Sequence, residues 1–228
     1  MAAFLETPMT VHTLATDRAP SPIVSQRSQD PFESIGAHLR FDAGEEIYAQ
    51  EDDADLLYRV LTGSVRGTRL LEDGRRQVGG FYFPGDFFGL EIGGQHRSSA
   101  EALDVTQVLV IRRSALKYHG EDGAQVERMS WLATGLALQR AQDHMMLLAR
   151  RSALERVSGF LFEIAAPAHG AWTRLSMSRQ DIADYLGLTI ETVSRMVSQL
   201  QAEGLMVFDG ARRFRILQHT RRACLAAA

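Results

Sequence analysis

Residues 179–198 read RQDIADYLGLTIETVSRMVS, and the side chains there best suited to chemistry are Glu191, Ser194, Arg195 and Ser198. Their spacing, i, i+3, i+4 and i+7, places them on one face of a helix. Arg195 can donate two parallel hydrogen bonds to guanine O6 and N7, and Glu191 can accept from the exocyclic amine of cytosine or adenine. A carboxylate facing DNA is repelled by the phosphates, so it needs a base-edge donor to justify its place. The same two residues can instead form a plain i,i+4 surface pair, which would hold the arginine in position in the free protein.

The neighbouring residues supply the elements that would position this face. Ile182, Tyr185 and Leu186 make the inward side of a first helix, and small Ala183 allows close approach. Gly187 ends that helix at a position open to φ > 0, and Thr189 can cap the next one. Val193, Met196, Val197 and Leu200 form the second helix's inward stripe. Ala183, Gly187 and Val193 together fit a helix-turn-helix; the bland reading is two packed helices with no DNA role. Gly204 closes the second helix, and Leu205–Phe208, Asp209-Gly210 and Phe214–Leu217 read as a hairpin carrying Arg212 and Arg213. That hairpin is the wing of a winged helix, whose arginines suit the phosphate backbone. Ser178, Thr189, Thr192 and Ser198 join Arg212 and Arg213 as backbone or supporting contacts.

Upstream, residues 36–112 read as short strands joined by tight turns, with 11 of the 19 glycines between Gly36 and Gly94. Leu56–Leu61, Val78–Phe83 and Val105–Ile111 are the apolar runs, and Asp73-Gly74 is a hairpin cue. A small barrel or roll follows. Residues 122–151 then read as one long helix with two apolar stripes. Met129, Leu132, Ala133, Leu136 and Leu147 form one, interrupted by Arg140 and Asp143; Trp131, Thr134, Leu138, Ala141, Met145 and Leu148 form the other. A helix apolar on two faces is buried on two sides. One face is expected on the roll and the other on a second copy, with Met129, Leu132, Leu136 and Leu147 taken as the dimer contact. A further helix over Ser152–Ala166, facing inward with Leu154, Val157, Leu161 and Ile164, ends at Pro167-Ala168-His169-Gly170. Four of the six prolines fall within residues 1–31, where apolar periodicity is lacking, and residues 1–30 read as a flexible arm.

The chain of 228 residues carries 25 basic and 28 acidic residues. From Arg150 onward there are 11 arginines against 7 acidic residues, whereas residues 1–149 hold 14 basic and 21 acidic. The C-terminal third is thus the part suited to a polyanion. The arginine excess itself, with Lys117 the single lysine, fits genomic codon bias as well as phosphate recognition. No window approaches the ~18–20 uninterrupted apolar residues of a membrane span, and MAAFLETPMT lacks signal-peptide character, so the expectation is a cytoplasmic protein. One cysteine, Cys224, excludes an intrachain disulfide and Cys-rich zinc or iron–sulfur sites within one subunit. The seven histidines show no metal-ligand spacing, with His96 beside Glu91 the one local pair. No phosphate loop, nucleophile elbow or carboxylate pair suggests an enzyme.

The order of parts, a Gly-rich roll, a long helix and then DIADYLGLTIETVSR, resembles the CRP/FNR superfamily of bacterial transcription regulators over residues 30–218. The stretch YLGLTIETVSR resembles its FNR and FixK branch, in which a Glu, a Ser and an Arg contact bases; these match Glu191, Ser194 and Arg195. The resemblance implies a homodimer that reads an inverted repeat of TTGAT-N4-ATCAA type in double-stranded DNA and recruits RNA polymerase as an activator. The cysteines that hold the oxygen-labile cluster of the FNR branch have no counterpart here. Cyclic-nucleotide relatives hold phosphate with an Arg-Ser pair after a Gly-Glu-Leu turn. Here the turn reads Gly89-Leu90-Glu91, and Arg97 stands one position early, so its side chain falls on the opposite face of a strand.

The expectation is therefore an α+β protein without cofactor or metal. It comprises an arm over 1–30, a cyclic-nucleotide-binding-like β-roll over 31–120, a dimerisation helix over 121–151 and a winged helix-turn-helix domain over 152–228. It is expected to bind DNA without an effector, with activity set by expression, turnover or covalent modification. The rivals are a ligand-gated relative whose effector sits in the roll, and a cupin-type enzyme carrying a helix-turn-helix.

Overall fold

A computed structural model describes residues 30–217 except 92, 93 and 151. The arm up to residue 29 and Cys224 lie outside the described residues. A one-turn helix α1 (Pro31–Ile35) leads into eight strands: β1 (Ala37–Phe41), β2 (Glu46–Tyr48), β3 (Leu56–Thr62), β4 (Val65–Leu70), β5 (Arg76–Tyr82), β6 (Phe87–Phe88), β7 (Ser99–Ala102) and β8 (Thr106–Arg112). They form two four-stranded antiparallel sheets, ordered β1-β8-β3-β6 and β2-β7-β4-β5. The three apolar runs become β3, β5 and β8. Asp73-Gly74 turns β4 into β5, where Leu71 and Arg75 close the hairpin at 2.9 Å and Gly74 takes φ +79°.

Between the sheets lies an aromatic core. Tyr58 stacks on Phe88 at 4.9 Å, Tyr82 on Phe88 at 5.4 Å, and Tyr48 on His96 at 3.6 Å. The strand rings sit at positions that the two-residue alternation turns inward.

After a 3-10 turn, α2 (Gly120–Leu148) runs for 29 residues, starting two residues before the expected helix and ending three before its expected end. Its N-terminal turns rest on the roll through buried Val126, and Leu147 (6% exposed) enters the core of the C-terminal domain. Arg140 reaches Asp86 of the roll at 2.8 Å, and His144 Nε2 meets the Tyr185 carbonyl at 2.8 Å. These residues share the inward side of α2, so Arg140, one of the two polar interruptions read in the first stripe, marks a contact with its own subunit.

The opposite side is bare. There Trp131 (71% exposed), Leu138 (62%) and Met145 (68%) stand out. Arg128, Trp131, Gly135, Leu138, Gln142 and Met145 follow one another by alternating steps of three and four, the spacing of a coiled-coil seam. Of the four residues expected at a dimer contact, two turn toward their own subunit and two do not. Leu147, about half a turn from Met145 at ~100° per residue, is a core residue of its own subunit, and Met129 is half-buried. Leu132 and Leu136, on the same stripe as Leu147, are nonetheless exposed.

The C-terminal part comprises α3 (Ala153–Ala165), β9 (Thr173–Arg174), α4 (Arg179–Leu186), α5 (Ile190–Ala202), β10 (Met206–Asp209) and β11 (Arg213–Ile216). Ser152 and Glu155 form a reciprocal capping box that starts α3. Strands β10, β11 and β9 pair antiparallel in that order, and Val157, Phe160, Leu161, Leu175, Ile182, Val193, Leu200 and Phe214 fill the core beneath. Among the described residues no helix is long and apolar enough to cross a membrane.

Candidate nucleic-acid interface

Local sequence chemistry fixes the two helices that carry the site. Ser178 accepts from the Asp181 amide at 3.1 Å while Asp181 accepts from the Ser178 amide at 2.8 Å, a second capping box that starts α4. Gly187 ends α4 in the left-handed region at φ +62°, where a side chain would be strained, and Leu188 donates back to Ala183 at 3.0 Å. Thr189 then caps α5 by accepting from the Thr192 amide at 3.3 Å. Ile182, Ala183, Leu186, Val193, Val197 and Leu200 are buried, with Met196 half-buried beside them. The helix-turn-helix is therefore held from beneath by apolar contacts and at its ends by caps.

What the core excludes faces solvent. Glu191, Ser194, Arg195 and Ser198 are exposed on α5, the first three on its N-terminal half. The Glu191 carboxylate turns back to the helix start, where its own amide and the Thr189 hydroxyl hold its carboxyl below the usual range. It is thus ionised and set at the positive end of the helix. This geometry leaves the Arg195 guanidinium outside that contact. The Ser198 hydroxyl donates to the Ser194 carbonyl at 3.1 Å, and the Thr192 and Thr189 hydroxyls meet at 3.1 Å, so these three groups brace the helix. The Ser178 hydroxyl is likewise engaged by Asp181 at 2.6 Å.

The wing arginines divide into two kinds. Arg212 donates its guanidinium to the Ser176 carbonyl, and its own carbonyl accepts from the Leu175 amide at 2.8 Å, which makes it a brace between the wing turn and the strand before α4. Arg213 and Arg215 each lie over Trp172 at 5.3 Å, and Arg213 also reaches Asp209 at 3.3 Å. Arg179, the first residue of α4, lies over Phe208 at 4.9 Å with a buried Nη1 that has no hydrogen-bond partner, and burial pushes its guanidinium down. Arg179, Arg215 and Trp172 were missed in the sequence, although alternation along Arg213-Phe214-Arg215 signals that two arginines share the face opposite buried Phe214.

In the roll, Arg97 is exposed, and the Ser99 hydroxyl accepts from the Gln50 amide at 2.9 Å. His96 is buried, 3.2 Å from Glu91. No cluster of three or more metal-ligating side chains occurs among the described residues. Tyr58, Tyr82 and Phe88 occupy the space between the sheets, and burial holds the Tyr58 and Tyr82 hydroxyls up at about 12.

A roll of cyclic-nucleotide-binding type, a long helix with a bare apolar side and a winged helix-turn-helix define a DNA-binding regulator. Residues 38–118 match the cyclic nucleotide-binding domain, and residues 175–206 match the bacterial regulatory proteins of the crp family. The chain is 44% identical to the nitrogen fixation regulation protein FixK of Rhizobium meliloti over 176 residues, covering 77% of this chain and 80% of that one. It is 41% identical over 204 residues to FixK of Bradyrhizobium diazoefficiens, covering 86% and 85%. The solved structure of FixK2 from Bradyrhizobium japonicum superposes with a TM-score of 0.76 at 45% identity, covering 84% of this chain and 96% of that one. The chain belongs to the CRP/FNR family of transcription regulators, within its FixK-like branch.

Proposed function

We propose that the protein activates transcription in the cytoplasm by binding, as a homodimer and without an effector, to an inverted repeat of TTGAT-N4-ATCAA type, from which it recruits RNA polymerase. The observation that carries this reading is the exposed trio Glu191, Ser194 and Arg195 on a helix capped by Thr189 and buttressed by its buried face. Arg195 supplies the bidentate donor for guanine, and the ionised Glu191 accepts from a cytosine or adenine amine. Ser194 adds a hydroxyl that adapts to either kind of base edge. Thr189, Thr192, Ser198 and Ser178 act as supporting residues, and Arg212 as a brace of the wing. Arg213 and Arg215 on the wing fit phosphate oxygens.

Effector independence draws its support from the aromatic filling of the roll and from exposed Arg97. Dimerisation draws it from the exposed Trp131–Leu138–Met145 line, and two half-sites one DNA turn apart, about 34–36 Å, call for two copies of α5. Binding of the ligand-free protein to the inverted-repeat duplex, compared with a scrambled one, tests the reading.

Replacing Arg213 and Arg215 together with alanine is expected to weaken operator and random duplexes alike. The salt dependence of binding should flatten by a slope of about 0.9 for each phosphate that is no longer neutralised. Anisotropy titrations at several salt concentrations measure this, and an effect confined to one base pair contradicts it.

A further inference from the structure

Two arginines of the roll meet two aspartates of the first helix of the helix-turn-helix. The Arg66 guanidinium on β4 lies 2.6 Å from Glu101 of neighbouring β7 and 2.5 Å from Asp181. Arg76 on β5 lies 3.0 Å from Asp181, and both its Nε and Nη2 reach Asp184, at 2.9 and 2.6 Å. Asp181 is 2% exposed. Its two oxygens are divided: one receives both arginines, while the other receives the amide and hydroxyl of Ser178 that start α4. Asp184 is divided in the same way, one oxygen on Arg76 and the other 2.6 Å from the Gln180 amide.

Around this cluster the contact is apolar. Val78 belongs to the core of the C-terminal domain, and Phe81 lies 5.3 Å from Tyr185 and 6.0 Å from Phe160. Apolar contact is non-directional and tolerates sliding, whereas forked, charge-assisted hydrogen bonds fix an angle. Asp181 is nearly buried whereas Arg76 is about a third exposed, so losing Arg76 leaves Asp181 held by Arg66 and frees Asp184 from its arginine.

We propose that Arg66 and Arg76 are positioning residues for DNA recognition: they clamp α4 to the β4–β5 hairpin and so fix the orientation of α5 in the ligand-free dimer. The proposal rests on the DNA-binding reading above and gives it a mechanical basis: the roll holds the reading helix. The clamp acts on placement, so it bears on the operator, where two helices must enter grooves at a set separation. Random DNA, bound through the phosphates alone, is indifferent to it.

The test is a charge-exchange cycle in the full chain, using Arg76→Glu, Asp184→Arg and the two combined, with Arg76→Gln as a milder variant. Anisotropy is measured on operator and random duplexes at equal salt, beside thermal melting. Each single reversal is expected to weaken the operator complex by about 10-fold or more and the random complex by less than about 3-fold, and the combination to regain most of the loss. If Arg76→Glu unfolds the chain, Arg76→Gln is expected to lose several-fold on the operator at an unchanged melting midpoint. Operator affinity unaltered by a folded variant overturns the clamp. A combined variant as weak as the product of the two singles does the same, as does equal weakening on both duplexes. A wild-type chain that fails to select the operator counts against the DNA reading instead. The clamp is then read without DNA by solution scattering of the free protein: Arg76→Gln should lengthen it and unchanged dimensions overturn the clamp.

Discussion

Leu138→Glu is expected to give folded monomers that have lost most of their affinity for the inverted repeat. Leu138 is the central residue of the bare line on α2 and makes no core contact in its own subunit, so the fold should survive. In a two-fold dimer the same residue approaches its own copy, and two carboxylates would be forced together in a desolvated seam. Losing the dimer turns a bivalent contact with two half-sites into a single one, an avidity loss of about 10²–10⁴. Light scattering measures the mass and anisotropy the affinity, while circular dichroism confirms the fold. A dimer that persists would place the seam elsewhere, with Leu132 and Leu136 the next residues to charge.

Arg195→Ala carries the second large effect. The side chain stands on the exposed face of α5, whereas Glu191 is drawn to the helix start, so its loss should not disturb the fold. A bidentate arginine–guanine contact contributes roughly 1–3 kcal/mol of discrimination, and each dimer would lose two. The expected outcome is relaxed preference at one G·C pair in each half-site, with random binding little changed. Affinities for duplexes varied singly at each position measure it. Equal weakening on every duplex would make Arg195 a phosphate contact.

The helix-turn-helix behind the second of these expectations was legible in the sequence because its determinants are local. Ser178 and Asp181 cap one helix, Gly187 turns the chain, Thr189 caps the next, and the buried positions repeat within two turns. The strands β3, β5 and β8 were legible for the same reason. Which side of α2 packs on its own subunit was not, because both stripes are apolar and only tertiary packing decides it. Leu147 and Met129 turned inward with Arg140 and His144, while Leu132 and Leu136 of the same stripe stay exposed like Trp131, Leu138 and Met145 of the other.

Nor could local pattern tell Arg212, a brace on the Ser176 carbonyl, from Arg213 and Arg215 beside Trp172. The Arg66–Asp181 and Arg76–Asp184 contacts join residues more than a hundred positions apart, beyond any helical or strand period. In the fold Asp181 ends up with a carboxyl below the usual range: burial works against this, but the Ser178 hydrogen bonds and the charges of Arg66 and Arg76 outweigh it. Its contribution to stability is present above the ordinary carboxylate pKa of about 3.9 and is lost as the pH falls through the lower folded value.

The central claim is that the ligand-free chain reads DNA sequence by itself. The most direct test is fluorescence anisotropy of the purified protein, with no added ligand, on a TTGAT-N4-ATCAA duplex and on a scrambled duplex at the same near-physiological salt. Selective binding of one dimer per duplex, tighter than on the scrambled DNA by at least the factor of about 10³ that separates specific from non-specific complexes, is the predicted result. Equal, weak binding to both duplexes would contradict it.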